Sequence, residues 1–435
     1  MNTSAVVVSV VVAAVVAAAP SSIQAQQDSR YVSGGHNDAY NGRGHYDQYG
    51  RMKHDQSVQL GPRPFFLVDG MDEGPLKDRL MQCKNGPFYR SAFSIAHRGA
   101  ALQFPEHTRE AAEAGARMGA GIMECDVTFT KDGQLVCRHD ECDLHTTTNI
   151  VATPLNGQCT VPWTGPVSAN PAPRCCTSDL TLAQFKSLKG KMDASVPNAT
   201  TAQGYLGGTP TWRTDLYTSR GTLMTHAEYI QLVGRISGKF TPELKYPNNP
   251  DRVVAIFGSQ ANYAQKMIDE YKNAGIHPND VWAQSFNVGD ILYWIQNEPK
   301  FGKQAVYLDA LSPPARLSLV ELKQLAQQGV NIFAPPMQAL LALNTANEIV
   351  PSQYAIDIQS AGLDIITWTF ERSDLRRGAA GVGSYYSFDP TGAAVKKDSD
   401  MYKALDVLAR DVKILGIFSD WPATVTYYAN CMGLK

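Results

Sequence analysis

Two acidic residues, Glu124 and Asp126, lie inside the short apolar run 122–129. The alternation of a β-strand would place both carboxylates on one face. Because two carboxylates on one face repel, they must be solvated, share a proton or hold a cation. Oxygen ligands favour a hard ion, Mg²⁺ or Ca²⁺. A solvated pair on an exposed strand explains this segment alone equally well.

A histidine is predicted to join these carboxylates through a hairpin. The dipeptide Asp132-Gly133 suits a two-residue type I′ turn. With those two residues as the loop, His139 lies directly across from Asp126, and its side chain falls on the acidic face. A shift of one residue would send His139 to the other face, so the prediction depends on the turn type.

Two further segments carry groups suited to a phosphate substrate. An apolar stretch ends in His97-Arg98-Gly99, where glycine permits a turn. The imidazole titrates near neutral pH, and the guanidinium offers a planar fork of donors to phosphate. Glu243 and Lys245 share one face of a later strand, offering a third oxygen ligand and a compact cation. A surface His-Arg pair and an edge-strand ion pair are the structural alternatives.

The elements that position these groups follow a βα pattern. From Phe93 onward, short apolar runs alternate with helical patterns, which predicts a mostly parallel sheet. Nine strands are predicted where a TIM barrel needs eight, so one is interpreted as an additional hairpin strand. A doubly wound sheet fits the periodicity almost as well. The predicted strands are Phe93–Ala96, Ile122–Phe129, Leu135–Arg138, Lys239–Leu244, Val281–Phe286, Ala305–Leu308, Ile332–Ala334, Asp364–Phe370 and Ile414–Ser419.

Two polar segments, 143–220 and 372–400, interrupt this pattern and are interpreted as insertions. Long loops in a compact domain are commonly lids or binding loops. The first insertion is rich in cysteine and is expected to be disulfide-linked, which makes it the better lid candidate. The predicted domain therefore covers residues 61–435.

The N-terminal part of the chain is predicted to lie outside this domain. Ala5 to Ala19 form an Ala/Val run that suits the apolar region of a signal peptide covering residues 1–25. A membrane anchor is the alternative, but the run is short for a bilayer span. Residues 26–60 contain few aliphatic side chains and are predicted to be a flexible polar linker.

Composition and cysteine content indicate a secreted or cell-wall-associated globular protein. The formal net charge is -2, which gives no electrostatic reason to expect nucleic acid or stable membrane insertion. Eight cysteines without a C-x-x-C pair favour disulfides over a zinc site, with the pairing open. Asn198-Ala199-Thr200 is a glycosylation sequon. The oligomeric state is open.

Taken together, these motifs resemble the glycerophosphodiester phosphodiesterase family, especially its periplasmic and secreted members. The likeness extends from about Phe93 to Tyr428, outside the two insertions. The matching segments are His97-Arg98-Gly99-Ala100, Pro105-Glu106-His107-Thr108, Glu124-Cys125-Asp126-Val127, Thr130-Lys131-Asp132-Gly133, His139-Asp140, Glu243-Leu244-Lys245, Gln284-Ser285-Phe286, Thr367-Trp368-Thr369 and Ser419-Asp420-Trp421-Pro422.

The resemblance implies a TIM (β/α)8-like barrel, one divalent cation (Mg²⁺ or Ca²⁺), and hydrolysis of glycerophosphodiesters to glycerol 3-phosphate and an alcohol. By position, it makes His97 and His139 the general acid and base, without assigning which is which. The remaining implied roles are metal binding by Glu124, Asp126 and Glu243, phosphate binding by Arg98 and Lys245, and a pocket wall formed by Trp368.

Four residues depart from the common family pattern. Cys125 replaces an aliphatic residue and is expected to point away from the site, and His107 stands where many members carry Asn. His145 replaces a common Arg, and Ser419 replaces a common Thr. Two other functions are weighed against hydrolysis of glycerophosphodiesters: a sphingomyelinase D-like phospholipase on the same scaffold, and a catalytically silent surface binding protein.

Overall fold

A computed structural model describes residues 58–434, apart from 215 and 217–219. The predicted signal peptide 1–25 lies outside the described residues, as does the predicted linker up to residue 57. At the far end of that linker, Leu60 is already buried in the main hydrophobic core. No helix within the described part of the chain is long and apolar enough to cross a bilayer.

The strands form one large sheet and one separate hairpin. In chain order they are β1 Ser91–Ala96, β2 Ala120–Phe129, β3 Leu135–Cys137, β4 Phe240–Leu244, β5 Gln284–Ser285, β6 Val306–Leu308, β7 Ile332–Ala334, β8 Leu341–Leu343, β9 Ile349–Pro351, β10 Asp364–Phe370 and β11 Gly416–Ser419.

Eight parallel strands close into a barrel in the order β1-β2-β4-β5-β6-β7-β10-β11. Closure is shown by β1, which pairs with β2 on one side and with β11 on the other. A doubly wound sheet would leave two open edges, so that alternative is wrong and the predicted TIM-type barrel is confirmed. The predicted additional strand is β3, antiparallel to the end of β2. The β8–β9 hairpin was not predicted.

Helices surround the barrel. They are α1 Arg63–Asp69, α2 Pro75–Gln82, α3 Arg109–Arg117, α4 Leu144–Thr147, α5 Leu182–Ser187, α6 Ala202–Tyr205, α7 His226–Ile236, α8 Pro250–Phe257, α9 Gln260–Asn273, α10 Val288–Asn297, α11 Pro299–Gly302, α12 Leu319–Gln327, α13 Gln353–Ser360, α14 Met401–Arg410 and α15 Pro422–Met432. Side-chain caps begin several of them. Thr225 and Ser318, for example, each form a reciprocal capping box with a glutamate three residues later.

The barrel interior is filled below its mouth by aliphatic and aromatic side chains that alternate along the strands. They form one buried cluster, whose members are Ile95, Ile122, Val306, Leu308, Ile332, Ala334, Ile366 and Phe418. Since the side-chain period of a strand is two, residues two positions further on also face inward, at the C-terminal mouth. The positions two after Ile95, Ile122 and Phe418 are polar: His97, Glu124 and Asp420.

The hairpin between β2 and β3 differs from its prediction by one residue. Val127 pairs with Cys137 and Phe129 with Leu135, so Asp126 lies opposite Arg138 rather than His139. The loop has three residues instead of two, because Thr130 and Gln134 form the closing pair. Gly133 takes the left-handed conformation at φ 72 that such a loop requires. The predicted register is therefore wrong.

Four disulfides fix the parts of the chain that lie outside the barrel pattern. Cys142–Cys176 and Cys159–Cys175 lie in and beside the first insertion, which also contains short helices and a hydrophobic cluster of its own. Cys125–Cys137 joins β2 to β3, so Cys125 points away from the barrel interior as expected. Cys83–Cys431 links the segment before β1 to α15.

Candidate active site

One cavity of about 250 Å³ opens at the C-terminal mouth of the barrel and gathers most of the predicted site residues. Six of the eight predicted residues line it, and they are His97, Arg98, Glu124, His139, Glu243 and Trp368. Asp126 and Lys245 lie directly beside it through their contacts with these residues. Strand ends that are far apart in the sequence thus meet at one place.

Three buried carboxylates form the acidic part of the site. Glu124, Asp126 and Glu243 each offer an oxygen within 4.8 Å of the others, since Asp126 and Glu243 are register partners on adjacent strands. Burial, and then the charges of the other two carboxylates, raise the pKa of Glu124 well above its ordinary value. Asp126 Oδ1 is buried, and no hydrogen-bond partner for it lies among the described residues. An all-oxygen, mutually repelling set with a free lone pair suits a hard divalent cation.

Glu243 and Lys245 form the other side of this acidic group. Lys245 Nζ lies 2.6 Å from Glu243 Oε1. Burial raises the pKa of Glu243 to about 8, against the attraction of Lys245. Burial also acts to raise the pKa of Asp126, but His107 and Lys245 hold it well below its ordinary value. The cluster therefore combines an ionised carboxylate with two that are reluctant to ionise unless further positive charge is present.

His97 is oriented by a carboxylate at the end of β11. Its Nδ1 lies 2.5 Å from Asp420 Oδ1, and its Nε2 lies 4.0 Å from Glu124 Oε2. Burial would raise the pKa of Asp420, but Arg372 and His97 keep it below its ordinary value. An ionised carboxylate can only accept, so the proton sits on Nδ1 and the Nε2 lone pair faces the acidic group. Burial and then Arg98 lower the pKa of His97 to about 4, although Asp420 opposes this.

The position of His139 in the cavity does not depend on the pairing of β2 with β3. β3 ends at Cys137, and His139 lies in the bend that follows, beyond the paired residues. Its direction is therefore set by that bend, which explains why it lines the cavity although the predicted pairing with Asp126 is wrong. Burial, followed by the charges of Arg98 and Lys245, lowers the pKa of His139 well below its ordinary value.

Arg98 binds the acidic residues with both its main chain and its side chain. Its N–H donates to Glu124 Oε2 at 2.7 Å, and its Nη1 donates to Glu106 Oε2 at 2.9 Å. The residue takes a left-handed conformation, φ 55, at the turn after β1, which aims both groups at the mouth. Arg98 Nε is buried, and no residue in the described part of the chain forms a hydrogen bond with it.

The opposite wall of the cavity is aromatic. Trp368 donates from Nε1 to the Ala334 carbonyl at 2.9 Å, which fixes its ring. Phe286 and Tyr385 meet that ring edge-on, with centroids 5.9 Å and 6.2 Å away. Tyr385 comes from the second insertion, whereas no described residue of 143–220 lines the cavity. The role of the first insertion as a lid therefore stays a prediction.

Several residues that touch the site were not predicted to have a role in it. His107 Nε2 lies 2.7 Å from Asp126 Oδ2, and Gln284 donates to Glu124 Oε1 at 3.1 Å. Asp420 and Arg372 complete the surroundings of His97. The alternation that places Glu124 two residues after Ile122 would have found Asp420 two residues after Phe418. No local pattern marks Arg372, because its partners are distant in the sequence.

A second group of potential ligands, Glu106, His139 and Asp143, also lies within 4.8 Å. Glu106 there is already paired with Arg98 at 2.9 Å, and Arg372 lies 3.8 Å away. These cations supply the positive charge that a metal would otherwise provide. The group of Glu124, Asp126 and Glu243 is thus the better cation site.

Comparison with known proteins identifies the family. The profile of the glycerophosphoryl diester phosphodiesterase family matches residues 97–424. An "Extracellular protein" of Arthroderma benhamiae is 43% identical over 247 residues, which cover 56% of this chain and 100% of that protein. A glycerophosphodiester phosphodiesterase of Haemophilus influenzae is 30% identical over 156 residues, 35% of this chain and 39% of that protein.

The fold has a solved counterpart. A crystal structure from Silicibacter pomeroyi, assigned to the glycerophosphoryl diester phosphodiesterases, is similar with a TM-score of 0.52 at 17% identity, covering 80% of this chain and 96% of that one. The likeness supports the barrel architecture. Because the family profile covers well over half of the 435 residues, the chain belongs to the glycerophosphoryl diester phosphodiesterase family and is an enzyme that hydrolyses glycerophosphodiesters.

Proposed function

We propose that the chain cleaves glycerophosphodiesters with one divalent cation and a pair of histidines. The observation that carries this proposal is the meeting of His97 and His139 with three buried acidic residues around one cavity. Glu124, Asp126 and Glu243 would hold the cation, which supplies positive charge against the phosphoryl oxygens when bound. Mg²⁺ and Ca²⁺ both suit the oxygen ligands.

The phosphodiester is bound by side chains of the protein. Arg98 and Lys245 neutralise charge on the non-bridging oxygens of the phosphodiester, which is the principal contribution a protein makes to phosphoryl transfer. Trp368, with the aromatic rings beside it, walls the pocket and keeps water from its apolar side. The phosphodiester is thereby held between the cationic side chains and this wall.

Proton transfer is assigned to the two imidazoles. His97, with its proton on Nδ1 and its Nε2 lone pair free, is suited to take a proton from the attacking water. The water oxygen bonds to phosphorus while the bond from phosphorus to the alcohol oxygen breaks. His139 in its protonated form then gives a proton to that leaving oxygen. The products are glycerol 3-phosphate and the free alcohol.

Product analysis with matched histidine variants tests this assignment. The purified chain is incubated with glycerophosphocholine, and glycerol 3-phosphate and choline are measured. We expect His97→Ala and His139→Ala each to lower kcat by a factor of about 10² or more. Exposed His277, which caps a short 3-10 turn, is the control, and His277→Ala should keep the full rate. Unchanged turnover in either active-site variant would refute the histidine pair.

The same assay separates the two alternatives. A sphingomyelinase D-like phospholipase would release choline from sphingomyelin faster than from glycerophosphocholine. A silent binding protein would bind glycerophosphocholine and release neither product. The complete set of histidines and carboxylates at the mouth supports hydrolysis of glycerophosphodiesters over the silent alternative.

We also propose that this enzyme acts outside the cell. Four disulfides suit an oxidising compartment, and the Arthroderma benhamiae relative carries the name of an extracellular protein. A signal peptide over residues 1–25, a linker over 26–60 and a glycan on Asn198 belong to the same proposal. Mass spectrometry of the secreted protein would test it through the mature N-terminus and the mass at Asn198.

A further inference from the structure

Arg372 is the first residue of the second insertion, and it reaches the surroundings of His97. Its Nη1 donates to Asp420 Oδ2 at 2.9 Å. Asp420 uses its other oxygen, Oδ1, for His97 Nδ1 at 2.5 Å. One guanidinium is thus joined to the imidazole through a single carboxylate.

The Asp420 side chain has little conformational freedom. Its side chain is fully buried, and each of its two oxygens has a strong partner on a different side. Its main-chain N–H donates to the Phe370 carbonyl at 3.0 Å, at the end of the neighbouring strand β10. A buried carboxylate that is held at both oxygens keeps one orientation, so it can set the orientation of the ring it binds.

The conformation at the start of the second insertion directs Arg372 to the barrel mouth. The preceding Glu371 lies directly after β10 in a left-handed conformation, φ 62. Its carboxylate accepts from Arg63 in α1 at 2.5 Å and from the Thr424 hydroxyl in α15. Consecutive side chains therefore go to opposite sides, with Glu371 anchored among the helices and Arg372 directed to Asp420.

We propose that Arg372 is a positioning residue, which acts through Asp420 to hold His97 with its proton on Nδ1 and with Nε2 facing the acidic group. The inference rests on the proposed function, because it requires His97 to transfer a proton. It also assigns a purpose to the second insertion, since the insertion would deliver a residue on which the alignment of His97 depends.

Two other roles for Arg372 predict different kinetics. A residue that binds the phosphodiester would raise KM when removed, and a residue that only supports the fold would lower the amount of folded enzyme. A positioning residue instead lowers kcat with little change in KM, because misalignment by about 1 Å can cost up to about 100-fold in rate.

The first experiment compares Arg372→Met and Arg372→Lys with a control from the same insertion. Arg376 is exposed and pairs with Asp374 at 2.7 Å, so Arg376→Met is expected to keep wild-type kcat and KM. We expect Arg372→Met to lower kcat by about 10- to 100-fold with KM changed by less than about threefold. Arg372→Lys should recover part of the loss, because a lysine retains the charge but not the planar fork.

A double-mutant cycle with Asp420→Asn then tests the path through the carboxylate. If Arg372 acts through Asp420, the loss caused by Arg372→Met should largely disappear in the Asp420→Asn background. Independent losses that multiply in the double variant would overturn the proposal. So would a rise in KM as the main effect of Arg372→Met, or an unchanged kcat.

The ring itself provides a readout that does not depend on turnover. In ¹⁵N-histidine-labelled enzyme, the two ring nitrogens of His97 should show the Nδ1–H tautomer, and Arg372→Met should shift them toward a mixture. Identical spectra in wild type and variant would contradict a positioning role. If His97→Ala is fully active, the proposed function fails; if His97 is required but Arg372→Met changes neither kcat nor the spectrum, only this inference fails.

Discussion

At the scale of single residues, the site is dominated by charges that burial makes unfavourable. Glu124, Asp126 and Glu243 are all buried within reach of one another. Positive side chains offset part of this charge: the Arg98 guanidinium lies 3.7 Å from Asp126, and Lys245 lies 2.6 Å from Glu243. Within the described residues, Asp126 Oδ1 nevertheless has no hydrogen-bond partner. A site arranged in this way favours a cation over an empty state, at a cost to the stability of the cation-free protein.

Because of this cost, Glu124→Gln should have two opposite effects: higher stability of the cation-free protein and weaker cation binding. Replacing a buried carboxyl that is costly to ionise should raise the melting temperature of the cation-free protein, since burial and repulsion raise the pKa of Glu124 well above its ordinary value. The same change removes a ligand and should weaken Mg²⁺ binding by about tenfold or more. Thermal unfolding and calorimetric titration measure the two effects. Glu73→Gln, at an exposed residue, should change neither. A less stable variant with unaltered Mg²⁺ affinity would contradict the cation site.

The lowered histidine pKa values predict the pH dependence of catalysis. A base acts when deprotonated and an acid when protonated, so kcat/KM is largest between the two pKa values of the free enzyme. Burial and then cationic neighbours lower the pKa of His97 to about 4 and the pKa of His139 well below its ordinary value. We therefore expect the maximum of kcat/KM to lie below about pH 6.5, the ordinary histidine value. A profile measured at saturating cation that peaks above neutral pH would contradict this assignment.

At the scale of elements, the strands explain which side chains could be predicted to reach the mouth. The two-residue period places His97 and Glu124 above the interior residues Ile95 and Ile122, and sequence patterns alone suffice for that. The hairpin register can be predicted only when the loop length is known, and the dipeptide Asp132-Gly133 does not determine that length. The side chains of Thr130 and Asp132 bond to each other at 2.6 Å and help to close a three-residue loop.

Gly133 gives a direct test of that loop. Its φ of 72 is unfavourable for other residues, so Gly133→Ala should lower the free energy of unfolding by about 1 kcal/mol. Gly157 lies in a short 3-10 helix, and outside that helix no described atom lies within 4 Å of the position that an added Cβ would take. Gly157→Ala should therefore leave stability unchanged or slightly improved. Urea unfolding of both variants measures this. Equal stability of Gly133→Ala and wild type would contradict the left-handed conformation of Gly133.

At the scale of the whole molecule, long-range contacts join the barrel to segments that the βα pattern does not include. Arg63 in α1 holds Glu371 beside the second insertion, and Cys83 is bonded to Cys431 across 348 residues of sequence. Sequence patterns predicted the barrel because its signals are local. The partners of Arg63, Arg372 and Cys83 are set by tertiary packing and could not be predicted from the neighbouring residues.

The Cys83–Cys431 disulfide should contribute to global stability. Replacing both cysteines by serine is expected to lower the free energy of unfolding by about 2–4 kcal/mol. Replacing Cys159 and Cys175, which enclose a separation of 16 residues within the first insertion, should cost less. Urea unfolding without reductant compares the two double variants. A larger loss from the short-loop pair would contradict the view that the terminal disulfide closes the whole domain.

The central claim is that hydrolysis requires a divalent cation, and one titration tests this requirement most directly. The enzyme is treated with a chelator, and glycerol 3-phosphate release from glycerophosphocholine is followed while Mg²⁺ or Ca²⁺ is added back. The site of Glu124, Asp126 and Glu243 predicts loss of activity on chelation and recovery that saturates at one ion per chain. Full activity after chelation, with no ion bound, would contradict it.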